Sequence, residues 1–247
     1  MCNYMGNPHA GEFSPDQFAE YRLKRIEKGI TQNTMNREQA YLRAVFNENI
    51  RLGHWKKDNP LSKLRAFKIQ ERELAYLTLP QITNLLDHLK QTDNRDVLLI
   101  TKICLATGAR WGEAEEVRIS QIRNKLIQFV QTKSSKARAV PITEELENEL
   151  LHHYELFGSG ERLFQAAYEA FREGVKLAKL ELPKGQLTHI LRHTFASHYV
   201  MGGGNILALQ RALGHHSLAM TIRYAHLSPE HLQEAKQLNP LAQLNPR

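Results

Sequence analysis

Apolar residues recur at three- and four-residue steps along most of the chain, the spacing that puts them on one face of a helix. Ser14-Pro15-Asp16-Gln17 opens the first such stretch, with a capping serine, a proline suited to the first turn and a glutamine three residues on. Phe18, Tyr21, Leu23 and Ile26 supply its apolar face, and Gly29 is a stop. A second helix is predicted from about Asn33 to Leu52, with Met35, Leu42, Val45, Phe46, Asn49 and Ile50 on one side and Gly53 at its end. Asn59-Pro60 breaks the pattern. The polar, highly charged run Lys63–Glu73 reads as a linker, either with a short helix or as an exposed strand. Thr78-Leu79-Pro80-Gln81 repeats the capping signal and opens a helix through Leu89. These breaks predict a small helical domain over residues 1–72 and a larger domain over 73–247.

Helical periodicity also dominates the larger domain, with segments predicted from Thr143, over Ala166–Leu180, Thr188–Met201, Asn205–Leu213 and Ser217–Ala225. One stretch departs from it. Leu126–Val130 and Ala137–Ile142 are strand-like and flank the polar, basic Lys133-Ser134-Ser135-Lys136, the pattern of a β-hairpin with a cationic tip. The fold class expected is therefore α+β, helix-dominated, with one small antiparallel sheet.

Charge adds a partner. The chain of 247 residues carries a formal net charge of +7, which suits a polyanion. The excess is concentrated: residues 21–72 hold 13 Lys or Arg against 5 Asp or Glu. Arg37 and Arg43 on the second helix, and Lys56 and Lys57 after it, are candidate DNA contacts, with Lys136 and Arg138 of the hairpin beside them. A solvated helix face has the same composition. A membrane is the poorer partner: the most apolar run, Val97–Ala106, contains Lys102 and is too short to span a bilayer. No secretory signal is visible, and Cys2 and Cys104 are too few for a disulfide framework, so a cytoplasmic setting is expected.

Four segments carry candidate chemistry: Thr107-Gly108-Ala109-Arg110-Trp111-Gly112-Glu113, the hairpin from Thr132 to Pro141, Thr188-His189-Ile190-Leu191-Arg192-His193-Thr194-Phe195, and Leu213-Gly214-His215 through Tyr224. Arg110 and Arg192 are fork-shaped donors that match phosphate oxygens. His189 and Arg192 lie three apart and share a helix face. Lys133 sits at the hairpin tip. A tyrosine hydroxyl such as that of Tyr224 can act as nucleophile or acid. Taken singly, each has an ordinary reading: a surface arginine, a packed tyrosine, a solvated lysine. His189 and His193 have a metal-pair spacing but no HExxH pattern and no third ligand, so no metal is expected.

Taken together, the order Arg, Lys, His-x-x-Arg, Leu-Gly-His, Tyr resembles the catalytic signature of tyrosine recombinases. All six positions are filled in order within about Leu77–Leu238, and Tyr224 follows His215 by nine residues, the family spacing. The likeness is closest to temperate-phage integrases, through segments such as Asn36–Phe46 and Gly185–His189. It implies a site-specific recombinase that cleaves and rejoins DNA through a 3′-phosphotyrosine, with no cofactor. It implies Tyr224 as nucleophile, Arg110, Arg192 and His215 on the phosphate oxygens, Lys133 as acid for the departing 5′-oxygen, and His189 as acceptor of the Tyr224 proton. Glu113 is expected to orient Arg110. A catalytically inert DNA-binding regulator and a type IB topoisomerase-like nicking and resealing enzyme are the other readings.

The resemblance also sets expectations about assembly. Double-stranded DNA is the partner, with a tetramer in the synaptic complex and accessory DNA-bending proteins possible. Leu227, Leu232, Leu238, Leu241 and Leu244 give the tail a partly amphipathic character, for docking on its own domain or a neighbouring protomer. Phage integrases usually carry a further N-terminal arm-binding domain. Their core-binding domain begins with more helix than Met1–Phe13 can supply, so the chain is expected to lack the former and part of the latter.

Overall fold

A computed structural model describes residues 1, 4–69, 74–130, 137–229 and 240. The chain divides into two compact units, Met1–Glu73 and Leu74–Arg247.

The first unit is built on two helices, α1 (Pro15–Glu27) and α2 (Gln32–Arg51). Ser14 Oγ accepts from the Gln17 amide and Gln17 Oε1 accepts from the Ser14 amide, so both halves of the capping box form. Phe18, Tyr21, Met35 and Leu61 are buried together, with Leu42, Leu64 and Phe67 against them. The apolar faces are narrower than the periodicity implies, since Leu23 is 55% and Val45 56% exposed.

The start of the charged run Lys63–Glu73 is less of a linker than its composition suggests. Asn36 brackets the backbone of Phe67, donating to its carbonyl at 2.9 Å and accepting from its amide at 2.8 Å. Gln39 donates to the Leu64 carbonyl at 2.6 Å, and Arg22 bonds both Gln39 and the Arg65 carbonyl. These polar clasps hold Leu61, Leu64 and Phe67 in the core while Lys63 and Arg65 between them stay exposed.

The second unit contains α3 (Leu79–Leu89), α4 (Val97–Thr107), α5 (Trp111–Glu115), β1 (Ile122–Arg123), β2 (Leu126–Phe129), β3 (Arg138–Pro141), α6 (Glu144–Phe157), α7 (Tyr168–Leu177), α8 (His189–Met201), α9 (Ile206–Leu213) and α10 (Ala219–Ile222). Helix α4 is apolar on nearly all sides and runs through the middle, packed by α3, α6, α7 and α8. The sheet is antiparallel in the order β1-β2-β3. Ile127 pairs with Val140 and both face the core, while Gln128 and Ala139 face out. The hairpin is thus present, with its tip, including Lys133 and Lys136, outside the described residues. Strand β1 was not expected. It reaches β2 through Asn124 and Lys125, both at positive φ, the two-residue turn that matches strand twist.

Leu61 is fully buried. Leu61→Ala is expected to lower stability by about 2–5 kcal/mol in urea unfolding. A loss under about 0.5 kcal/mol would mean that Leu61 is not part of a packed core.

Candidate active site

Two glycine caps set the site. Helix α4 ends at Gly108 (φ 66°) and α9 at Gly214 (φ 65°), each in the left-handed conformation that L side chains rarely adopt. At Gly108 there is also no room, because a Cβ would collide with the Phe195 ring and the Leu213 side chain. The chain leaving Gly108 delivers Arg110 as the N-cap of α5, and the chain leaving Gly214 delivers His215.

Arg192 joins the two caps. It projects from α8, is 5% exposed, and donates from Nη1 to the Gly108 carbonyl and from Nη2 to the Leu213 carbonyl, both at 2.7 Å. Burial, and then the nearby positive charges of Arg110 and Arg138, lower its pKa to about 10, so it stays charged at neutral pH.

Glu113 lies between two arginines. Its carboxylate accepts from Arg110 Nη1 at 3.3 Å and from Arg138 Nη2 at 2.8 Å, and it also caps the Arg110 amide. The expected link of Glu113 to Arg110 is therefore present in the structure. Arg138, expected to contact DNA, is placed differently. Its side chain is 5% exposed, Nε donates to the Ala212 carbonyl at 2.6 Å, and the guanidinium lies over the Phe129 ring. It ties β3 to Glu113 and to the end of α9 rather than facing solvent. Of the other DNA-contact candidates, Arg37, Arg43, Lys56 and Lys57 are exposed on the first unit, and Lys136 lies outside the described residues.

The charges of Arg110, Arg138 and Arg192 reach the histidines. His215 is 8% exposed and its pKa falls to about 4, by burial and then by Arg192, Arg110 and Arg138. Its Nδ1 shares a 2.8 Å hydrogen bond with Thr221 Oγ1, a fully buried hydroxyl on α10. That bond leaves Nε2 as the nitrogen available to a ligand. His189, at the start of α8, is shifted down by burial and then by Arg110 and Arg192. An open cavity of about 1120 Å³ beside Arg110 is lined by Arg118, Gln121, Phe129 and Arg162 among others.

Tyr224 follows α10 and is 2% exposed, packed against Ala196, Val200, Leu209 and Leu213. Burial raises its pKa, opposed by Arg192 and Arg223. Its hydroxyl sits 2.7 Å from His193 Nδ1, not on His189, to which the sequence reading gave its proton. The structure thus brings Arg110, Glu113, His189, Arg192, His215 and Tyr224 into one neighbourhood, leaves Lys133 outside the described residues, and adds His193 and Thr221. His193 was visible only as part of the His-x-x-Arg-His run, and Thr221 only by its three-residue spacing from Tyr224.

Known proteins resemble this chain over both of its units. A family model described as phage integrase family matches residues 75–231, and one described as phage integrase, N-terminal domain, matches residues 1–68. The helical unit taken from sequence as a partial core-binding domain is matched over residues 1–68 by the N-terminal-domain model. The integrase of Escherichia phage 186 is 47% identical over 97% of this chain and 73% of its own length. That of Haemophilus phage HP1 is 48% identical over 98% of this chain and 72% of its own. The catalytic domain of bacteriophage HP1 integrase superposes with a TM-score of 0.64 at 50% identity, over 70% of this chain and 99% of that one. The Tn1549 transposon integrase, solved with circular intermediate DNA, shares the fold at a TM-score of 0.77 and 19% identity, over 95% of this chain and 90% of that one. Fold and relatives together define a tyrosine-type site-specific recombinase. The chain belongs to the phage integrase family.

Two measurements probe the site's electrostatics. Glu113→Ala leaves the buried Arg138 guanidinium without its carboxylate and is expected to cost about 3–5 kcal/mol in denaturant unfolding; a cost below about 1 kcal/mol would contradict the pairing. His193 and His215 are held neutral down to about pH 4, against 6.5 in the unfolded chain. Below that upper value the unfolded chain takes up protons the folded chain refuses. Stability should therefore fall as pH drops from 6.5 towards 4, by up to about 1.4 kcal/mol per pH unit for each histidine. Urea midpoints across this range test it, and a slope that does not flatten in His215→Asn would count against it.

Proposed function

We propose that this recombinase cuts and rejoins double-stranded DNA by attack of Tyr224 on a backbone phosphate, forming a 3′-phosphotyrosine and freeing a 5′-hydroxyl. A 5′-hydroxyl of a partner strand then reverses the step, so the bond energy is conserved in the ester and no cofactor is required. The observation that carries this reading is the convergence of Arg110, Arg192 and His215 on the neighbourhood of one buried tyrosine.

The roles follow from the donors present. The pentacoordinate phosphorus centre places negative charge on its non-bridging oxygens. Arg110 and the remaining N–H groups of Arg192 bind those oxygens by charge-assisted hydrogen bonds, and His215 adds a third donor through Nε2. Glu113 fixes Arg110 in place. His189, within the field of Arg110 and Arg192, stands on the same phosphate side. Lys133 protonates the 5′-oxygen as it leaves.

Binding begins elsewhere. The exposed Arg37, Arg43, Lys56 and Lys57 of the first unit, with Lys136, hold the duplex through its phosphates. Strand exchange requires two DNA sites and a tetramer of this chain, with DNA-bending proteins as helpers and the prokaryotic cytoplasm as the setting. Relatives solved on DNA support the duplex as the partner, among them XerH on its difH substrate and a lambda integrase dimer on a core site.

The test combines a nicked suicide substrate with a two-site recombination assay. The wild-type chain is expected to form a DNA adduct that survives denaturing electrophoresis and to exchange strands between two sites. Tyr224→Phe should bind DNA as tightly and form no adduct. An adduct with Tyr224→Phe would refute the nucleophile. An adduct without two-site exchange would favour a nicking and resealing enzyme, and no adduct with wild type an inert regulator.

A further inference from the structure

The group on the oxygen of Tyr224 is the imidazole of His193, whose Nδ1 lies 2.7 Å from the hydroxyl. His193 directly follows Arg192 on α8, so the turn of helix that supplies a phosphate-binding guanidinium also supplies this contact. His189 lies one turn earlier, is more exposed than His193, and its ring centre is 6.4 Å from that of His193. On position alone, the nitrogen able to receive the phenolic proton belongs to His193.

The groups facing His193 are His189 and Arg192 from α8 and Arg223 and Tyr224 from the segment after α10. Burial, and then Arg223, His189 and Arg192, hold its pKa down to about 4, so at neutral pH the ring is uncharged and has a lone pair. The phenol keeps its proton, since burial raises its pKa. In the free protein the proton therefore stays on Tyr224. A phosphate among Arg110 and Arg192 changes both sides of that balance. Its negative charge offsets the arginines that suppress protonation of His193, and the resulting imidazolium is stabilised by the same charge.

We propose that His193 is the catalytic acceptor of the Tyr224 proton, made competent by arrival of the DNA phosphate. The step rests on the reading of Tyr224 as nucleophile. The Oη–H bond breaks with the proton passing to Nδ1, the Oη–P bond forms, and the P–O5′ bond breaks as Lys133 gives its proton to the 5′-oxygen. In the reverse reaction His193 returns the proton to the phenol. A basic group appears at the hydroxyl only when a phosphate is present to be attacked, which suppresses ionisation of the tyrosine in the free protein.

The test is single-turnover adduct formation on a nicked suicide substrate between pH 5.5 and 9, for wild type, His193→Asn and His189→Asn. The asparagine Oδ1 stands close to the position of Nδ1, so it keeps the hydrogen bond and loses the basicity. His193→Asn should bind DNA as wild type does and form adduct about 10²–10⁴-fold more slowly. Its rate should keep climbing up to pH 9, where the wild-type rate has levelled off, and His189→Asn, whatever its rate, should level off as wild type does. A His193→Asn rate within about threefold of wild type with an unchanged profile, or the altered profile in His189→Asn instead, would overturn the proposal. If His193→Asn does not fold, nitrogen NMR of the histidines in wild type and Tyr224→Phe decides. Loss of the hydroxyl should shift the His193 Nδ1 resonance, and an unmoved resonance overturns the proposal. Absence of adduct in the wild type would instead strike the nucleophile reading, and the NMR comparison would still report on the contact.

Discussion

The buried guanidinium of Arg192 is the interaction on which the catalytic unit turns. Two helices end in carbonyls that face the interior, at Gly108 and Leu213, and a buried carbonyl left without a donor costs about 1–3 kcal/mol. Arg192 satisfies both with one side chain, and its positive charge suits the negative ends of the two helices. It thereby fixes the exit of α4, which carries Arg110, against the exit of α9, which carries His215. The residue proposed to hold the phosphate is thus also the residue that holds the site together. A substitution there changes structure and chemistry at once, and Arg192 is a poor place to separate them.

The same concentration of charge governs protonation. Arg110 and Arg138 both pair with Glu113, whose charge also acts on Arg192, and the three guanidiniums together act on the histidines around them. The three histidines are all pushed towards the neutral form. An anion is the natural counterpart: a bound phosphate would relax a field that the protein maintains at a cost to its own histidines. Thr221 and His193 refine this picture, the first by occupying one nitrogen of His215, the second by standing at the tyrosine hydroxyl.

Local rules reached far into this fold. The capping boxes at Ser14 and Thr78 form as written, because they depend only on residues three apart. The hairpin strands of β2 and β3 follow from their alternation. Strand β1 escaped because its turn uses Asn124-Lys125 rather than the Asn-Gly that marks such turns. Leu64 and Phe67 looked like part of a linker because their burial depends on Gln39 and Asn36, some 25–31 residues away in sequence. Arg138 reads as a free cation for the same reason: Glu113 and Ala212, which occupy it, are distant in the chain. His189 and His193 share one face of α8, and which of them meets Tyr224 is set by how the segment after α10 docks, a tertiary fact with no sequence signature.

The central claim concerns a single oxygen atom, and one measurement addresses it directly. The covalent complex formed on nicked DNA can be digested with protease and nuclease and the nucleotide-bearing peptide sequenced by mass spectrometry. The nucleotide should be found on Tyr224, joined through a 3′-phosphate. Attachment at any other residue, or through a 5′-phosphate, would contradict the account.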